Sequence, residues 1–203
     1  MSIDSPVVSG PTRGRGAGET RRRILDAATG LFYAHGIRGT SADRIIEQVG
    51  ITKVTFYRHF RTKSDLVVAY LERQAELERD AVARALQGAG PVEALGAIAR
   101  TIGTVSCSPG FRGCPFINAA AETPDPDDPV RVVVDRHRRW CRDTFARLAA
   151  EAGVADADVA AGQLMMLRDG AMVAGYLGDP DEVAETLREA CLAVVAAGHP
   201  GPA

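Results

Sequence analysis

Lys53, Thr55, Tyr57, His59 and Lys63 fall within eleven residues of one another, and Thr40, Ser41, Arg44 and Thr52 stand just before them. Cationic and hydroxyl side chains at this density suit a phosphate backbone, and a lysine or hydroxyl on a helix face can also meet base edges. Lys53 and Thr55 are read as the base contacts. Thr40, Ser41, Arg44, Tyr57, His59 and Lys63 are read as phosphate grips, with Thr52 as the cap that aims them. A plain helical hairpin with solvated polar faces would carry the same residue types, so the elements that hold them decide the matter.

Those elements are legible as two short helices around a glycine. Thr40 followed three residues later by Asp43 fits a capping box, so the first helix should begin near Thr40 or Ser41. Ile45, Ile46 and Val49 recur at helical spacing and face inward, leaving Arg44 and Gln48 outward. Gly50 follows the last apolar residue, where a left-handed backbone needs no Cβ. Thr52 can cap the next helix, in which Val54 or Phe56, and then Phe60, serve packing. One helix laid in a groove and clamped by another is the helix-turn-helix arrangement.

Charge is distributed accordingly. Through Ser64 there are eleven Lys/Arg against five Asp/Glu, a net of +6, whereas the remainder carries 13 basic and 21 acidic residues, a net of −8. A basic head on an acidic body is the footprint of a polyanion bound at one end.

Thr20-Arg21-Arg22-Arg23-Ile24-Leu25-Asp26-Ala27-Ala28, Leu31-Phe32, His35-Gly36, Gly50-Ile51-Thr52, Phe56-Tyr57-Arg58-His59-Phe60 and Lys63 together resemble the N-terminal domain of TetR-family transcriptional regulators. The resemblance spans about residues 20–70. It implies an all-helical homodimer, usually a repressor, that binds an operator in double-stranded DNA and is released when a small molecule enters its C-terminal domain. Asp43 departs from the family pattern, since some members place a basic or hydroxyl base contact there.

Roughly 200 residues with 46% hydrophobic and 25% charged content suit a folded helical protein. No segment approaches about 18 consecutive apolar residues, so no membrane span or secretion is expected. Cys107, Cys114, Cys141 and Cys191 show no Cys-x-x-Cys spacing, which suits reduced thiols and a cytoplasmic location. Residues 1–18, rich in Gly, Ser, Pro and Arg, are expected to form a disordered basic arm, a solvated tail in preference to a minor-groove contact through Arg13–Gly16. A DNA-binding domain then covers 19–65 and a helical effector-binding and dimerisation domain 66–198. About nine helices are expected, and the class is all-α. The fourth, capped near Ser64 and running to Leu86, would join head to body as a lever. The last two, about 157–177 and 181–197, supply Leu164, Met165, Leu167, Ala171, Met172 and Gly175, then Val183, Leu187, Ala190, Cys191, Val194 and Val195, as apolar surface for pairing two chains.

Catalysis finds no support: there is no Gly-x-Ser-x-Gly elbow and no phosphate-cradling glycine loop. His137 and Cys141 stand one helical turn apart, a spacing able to share a metal, but no further ligand lies nearby in sequence, so no metal and no cofactor is expected. An effector pocket is better sought around Phe111–Glu122, a Gly-Cys-Pro-Phe-Ile-Asn-Ala stretch resembling one branch of the family. Phe111, Cys114, Phe116 and Ile117 are candidate walls, Asn118 the orienting polar group, and His137, Trp140, Met165 and Tyr176 possible complements. Two other readings stand beside this one: a thiol-based redox regulator using Cys107 or Cys114, and a helical ligand-binding dimer without specific DNA recognition.

Overall fold

A computed structural model describes residues 13–178 and 183–198. Among them the chain forms nine α-helices and no strand: α1 (Arg13–His35), α2 (Ala42–Val49), α3 (Lys53–His59), α4 (Lys63–Leu86), α5 (Pro91–Ser106), α6 (Pro115–Glu122), α7 (Pro129–Glu151), α8 (Ala157–Leu177) and α9 (Val183–Ala197). No helix among the described residues is long and apolar enough to cross a membrane. Helix α1 begins at Arg13, so residues 13–18 are helical and not part of a disordered arm; residues 1–12 lie outside the described residues.

Local chemistry sets the helix ends. Ser41, not Thr40, caps α2, its hydroxyl accepting from the Arg44 N–H at 3.2 Å. Thr40 is instead fully buried and donates to the Leu31 carbonyl at 3.1 Å. Gly50 takes the left-handed conformation (φ 69°) and returns its N–H to the Ile46 and Glu47 carbonyls. Thr52 caps α3 by accepting from the Thr55 N–H at 3.2 Å. The lever helix is capped two residues earlier than Ser64 suggested, by Thr62 and Asp65 in a reciprocal capping box with both bonds at 3.0 Å.

Two apolar cores result, and they do not divide at residue 65. Ile24, Phe32, Ile45, Phe56, Phe60, Leu66 and Tyr70 pack the head, and that same core runs on into Phe116, Val133 and Val134 of α6 and α7. The second core joins α5, the C-terminal half of α7, α8 and α9 through residues such as Leu95, Leu148, Leu164 and Leu187. Its helices approach closely: a methyl on Gly103 would collide with Ala184, and one on Gly175 with Ser106. Most of the apolar residues of α8 and α9 assigned to chain pairing, including Leu164, Met165, Met172, Leu187 and Cys191, are therefore spent inside one subunit. The unpartnered face is a different one, running along α8 as Val159, Gly162, Met166, Gly170, Val173 and Leu177.

Candidate nucleic-acid interface and ligand cavity

Helix α3 turns Phe56 wholly inward and presents Lys53, Val54, Tyr57 and Arg58 outward. Val54 is 78% exposed, which settles the choice between it and Phe56 as the packing residue. An apolar branched side chain left bare at the start of a short helix suits contact with a thymine methyl. Lys53 bridges back to Asp43 at 2.9 Å, and that carboxylate, through hydrogen bond and charge, holds the ammonium above its usual pKa range. The residue that departs from the family pattern thus orients the one cation on the reading face that sits in the first turn. Arg23 donates to the Val49 carbonyl at 2.7 Å, fixing α1 on the C-terminal end of α2. The Arg21 guanidinium lies 4.7 Å over the Phe60 ring.

The other expected contacts differ in how far they reach the surface. The buried Thr40 hydroxyl cannot grip a phosphate. Thr55 is half-buried, with its hydroxyl 3.0 Å from that of Thr52 at the exposed start of α3. Arg44 is exposed but leans on His35 at 3.0 Å. His59 has its Nε2 buried without a hydrogen-bond partner, and burial, then Arg58 and Arg21, push its pKa down. Lys63 is half-buried; burial lowers its ammonium's pKa and Glu122 partly offsets this. Ser41 and Tyr57 remain exposed at the head surface.

Below the head lies a cavity of about 510 Å³, lined by α1, α4, α5, α7, α8 and the loop before α6. This is the size of a small-molecule site. Leu77 and Val82 of α4, Ile98 and Ile102 of α5, and Trp140 and Phe145 of α7 make apolar walls, while Glu78, Cys141 and Arg168 form one polar end. Tyr33 of α1 reaches the cavity from the head. Its hydroxyl accepts from the Arg112 N–H at 2.9 Å and donates to the Gly113 carbonyl at 3.1 Å. A second tie runs from α6, where Glu122 accepts from the Ile37 N–H at 3.0 Å and the Arg38 N–H at 2.6 Å. Gly36, at φ 81°, opens the turn that presents those two amides.

Residues 24–70 match the sequence profile of bacterial regulatory proteins of the tetR family. The chain is 30% identical over 127 residues to the HTH-type transcriptional regulator LmrA of Bacillus subtilis, covering 61% of this chain and 68% of that protein. It is 36% identical over 86 residues to TtgR of Pseudomonas putida, covering 42% and 40% of the two. The crystal structure of SCO4454, a TetR-family transcriptional regulator from Streptomyces coelicolor, superposes with a TM-score of 0.87 at 42% identity, over 90% of this chain and 97% of that one. The chain belongs to the TetR family. It is a DNA-binding transcriptional regulator, and its family is one of regulators rather than enzymes.

Within this TetR body the expected pocket residues separate into two groups. Phe111 and Trp140 line the cavity. Phe116 is buried and stacks on His137 at 3.7 Å, outside the lining. Cys114 sits at the N-cap of α6, buried, with Sγ 3.7–3.8 Å from the Arg168 guanidinium. Ile117 packs against the head core, and Asn118 donates to the Arg112 carbonyl at 2.8 Å, a loop clamp rather than a ligand group. Met165 belongs to the second core, and Tyr176 lies on the surface with the Arg112 guanidinium 5.7 Å above its ring. His137 is 1% exposed and lies behind the cavity wall.

The sequence reading passed over Glu78 and Arg168, because one charged residue amid the many on a helix looks like any solvated face. Arg168 is buried and lies 3.3 Å from Glu78, 3.0 Å from Asp169 and against Cys114. Burial raises the Glu78 pKa, but the hydrogen bond from His137 at 3.1 Å and the charge of Arg168 outweigh it and hold the carboxyl below its ordinary value. Because the unfolded chain takes up this proton first, the stabilisation is full above about pH 4.3 and is lost as pH falls through the lower folded value. Glu78→Gln is expected to flatten that acid limb in thermal melts; an unchanged limb would show that other carboxylates set it.

Proposed function

We propose that the protein is a homodimeric repressor that holds a palindromic operator and lets go when an apolar or amphipathic small molecule fills the cavity. The observation that carries this reading is that one cavity is walled by both body and head. Thr29, Gly30 and Tyr33 of α1 line it together with α4, α5, α7 and α8. A ligand that displaces the loop before α6 strains the Tyr33 hydrogen bonds and, through α6, the grip of Glu122 on the α1–α2 turn. Two subunits paired along α8 would set their α3 helices in successive major grooves, roughly 34–36 Å apart. To move the dimer from 1:99 to 99:1 released, the effector must favour the released form by about 5.5 kcal/mol.

Selection from random duplexes is expected to enrich a palindrome, and a screen of amphipathic molecules for thermal stabilisation is expected to yield ones that free it. Failure of any stabilising molecule to weaken operator binding would sink the effector half of the proposal. Lys53→Ala should relax preference at one or two operator positions, by about 1–3 kcal/mol each. Lys63→Ala should weaken all duplexes alike and flatten the salt dependence by about one unit. Uniform weakening by Lys53→Ala would make that residue a phosphate contact instead.

A further inference from the structure

The polar end of the cavity brings together donors that the sequence separates. Glu78 Oε2 on α4, with His137 Nε2 and Cys141 Sγ on α7, all lie within 4.8 Å of one another. Histidine to glutamate is 3.1 Å and cysteine to histidine 3.5 Å. A tetrahedral zinc ion with ordinary bonds, about 2.3 Å to sulfur and about 2.0–2.1 Å to nitrogen or oxygen, sets its ligands roughly 3.4–3.6 Å apart. Both edges come within a few tenths of an ångström of that figure. His137 is 1% exposed, its ring is clamped face to face on Phe116, and its Nδ1 has no hydrogen-bond partner.

We propose that Glu78, His137 and Cys141 form a binding site for a divalent d-block cation of zinc's class, with the fourth position facing the cavity. A sulfur, a nitrogen and an oxygen donor suit that class better than magnesium or calcium, which take oxygen alone. Glu78 and Cys141 border the cavity and His137 does not, so the side left open is the cavity's. Arg168 shares the Glu78 oxygen at 3.3 Å, but it keeps Asp169 at 3.0 Å and Cys114 at 3.7 Å when it yields that contact. Binding forms a metal–sulfur bond and releases the Cys141 thiol proton to solvent. Glu78 binds as the carboxylate it already is, and the neutral imidazole of His137 changes tautomer, its proton passing from Nε2 to the unpartnered Nδ1 so that Nε2 offers its lone pair to the metal.

The groups facing the thiol are Glu78, His137, Arg168 and Cys114, with Arg138 and Asp169 behind them.

Titrating the full metal-free chain with Co(II) tests the site directly. One Co(II) per chain is expected, with a thiolate-to-cobalt charge-transfer band in the near ultraviolet that Zn(II) abolishes by displacement. Cys141→Ser should remove the band, and Glu78→Gln and His137→Gln should each weaken binding by roughly tenfold or more. Circular dichroism verifies that each variant is folded. Should a variant not fold, the wild-type stoichiometry, the band and its displacement by Zn(II) decide alone. No band, or a band that survives Cys141→Ser, would each overturn the proposal. Operator binding is read separately, so a chain that binds cobalt but no palindrome would sink the repressor reading and leave the metal site standing.

Discussion

Replacing Met166 with arginine is expected to split the proposed dimer while leaving the subunit folded. Met166 is 77% exposed and Leu177 74%, in a row along α8 that also holds Val159 and Val173 and two glycines, Gly162 and Gly170, with open space above them. Glycines in such a row let a second copy's helix come close, and the apolar side chains flank the seam. Met166 stands largely in solvent, so the subunit's helical signal and core should not change. Across a two-fold axis the variant places two cations together, and a buried charge left without a partner costs about 3–5 kcal/mol. The dimer dissociation constant should rise by at least roughly 100-fold. Joining two heads supplies on the order of 10²–10⁴ in affinity for a palindrome, and the variant should lose an effect of that order. Sedimentation equilibrium gives the first reading and operator titration the second. A variant as dimeric as the parent would move the interface off this face of α8.

Glu122→Ala should loosen head from body. Its carboxylate receives two backbone N–H groups, from Ile37 and Arg38, and no other side chain takes them among the described residues. Hydrogen bonds to a charged acceptor contribute about 1.5–3 kcal/mol each when shielded; the Arg38 bond is exposed, so about 1–3 kcal/mol for the pair is the sensible range. Without it the two heads of a dimer sample more separations, and affinity for a palindrome of fixed spacing should fall roughly ten- to a hundred-fold. Hydrogen exchange should show the Ile37 and Arg38 amides losing protection while α7 and α8 keep theirs. If operator affinity and those amides are both unaffected, the coupling runs through Tyr33 or α4 instead.

The fold was legible because helices announce themselves locally. Ile45, Ile46 and Val49 at helical spacing, Gly50 at the turn and Pro115 at a helix start each carry their signal within a few residues, and every one stands where the spacing put it. The caps were less secure. Thr40 and Ser41 are adjacent hydroxyls with the same potential, and only the neighbouring α1 carbonyl of Leu31, close enough to accept from Thr40, assigns the inner role to one and the cap to the other.

The sites were legible in proportion to how local they are. The reading head depends on residues within some twenty positions, so Lys53 and Tyr57 emerge at the surface as expected, and Thr55 stands beside the hydroxyl of the cap Thr52. The cavity depends on helices far apart in the chain. Asn118 is the polar residue nearest the suspected stretch, yet it clamps a loop, and the polar end comes from Glu78 and Arg168, 90 positions apart.

By itself, then, the amino-acid order determined the helical class, the helix-turn-helix, the basic head and the kinship with TetR regulators, because periodicity, capping and charge act over a turn or two of chain. Only the tertiary structure decided which charges turn inward, which apolar residues of α8 stay exposed, and that Glu78 joins His137 and Cys141. Those outcomes depend on how α4, α7 and α8 cross, and a crossing is fixed by the packing of whole faces rather than by any short run of residues.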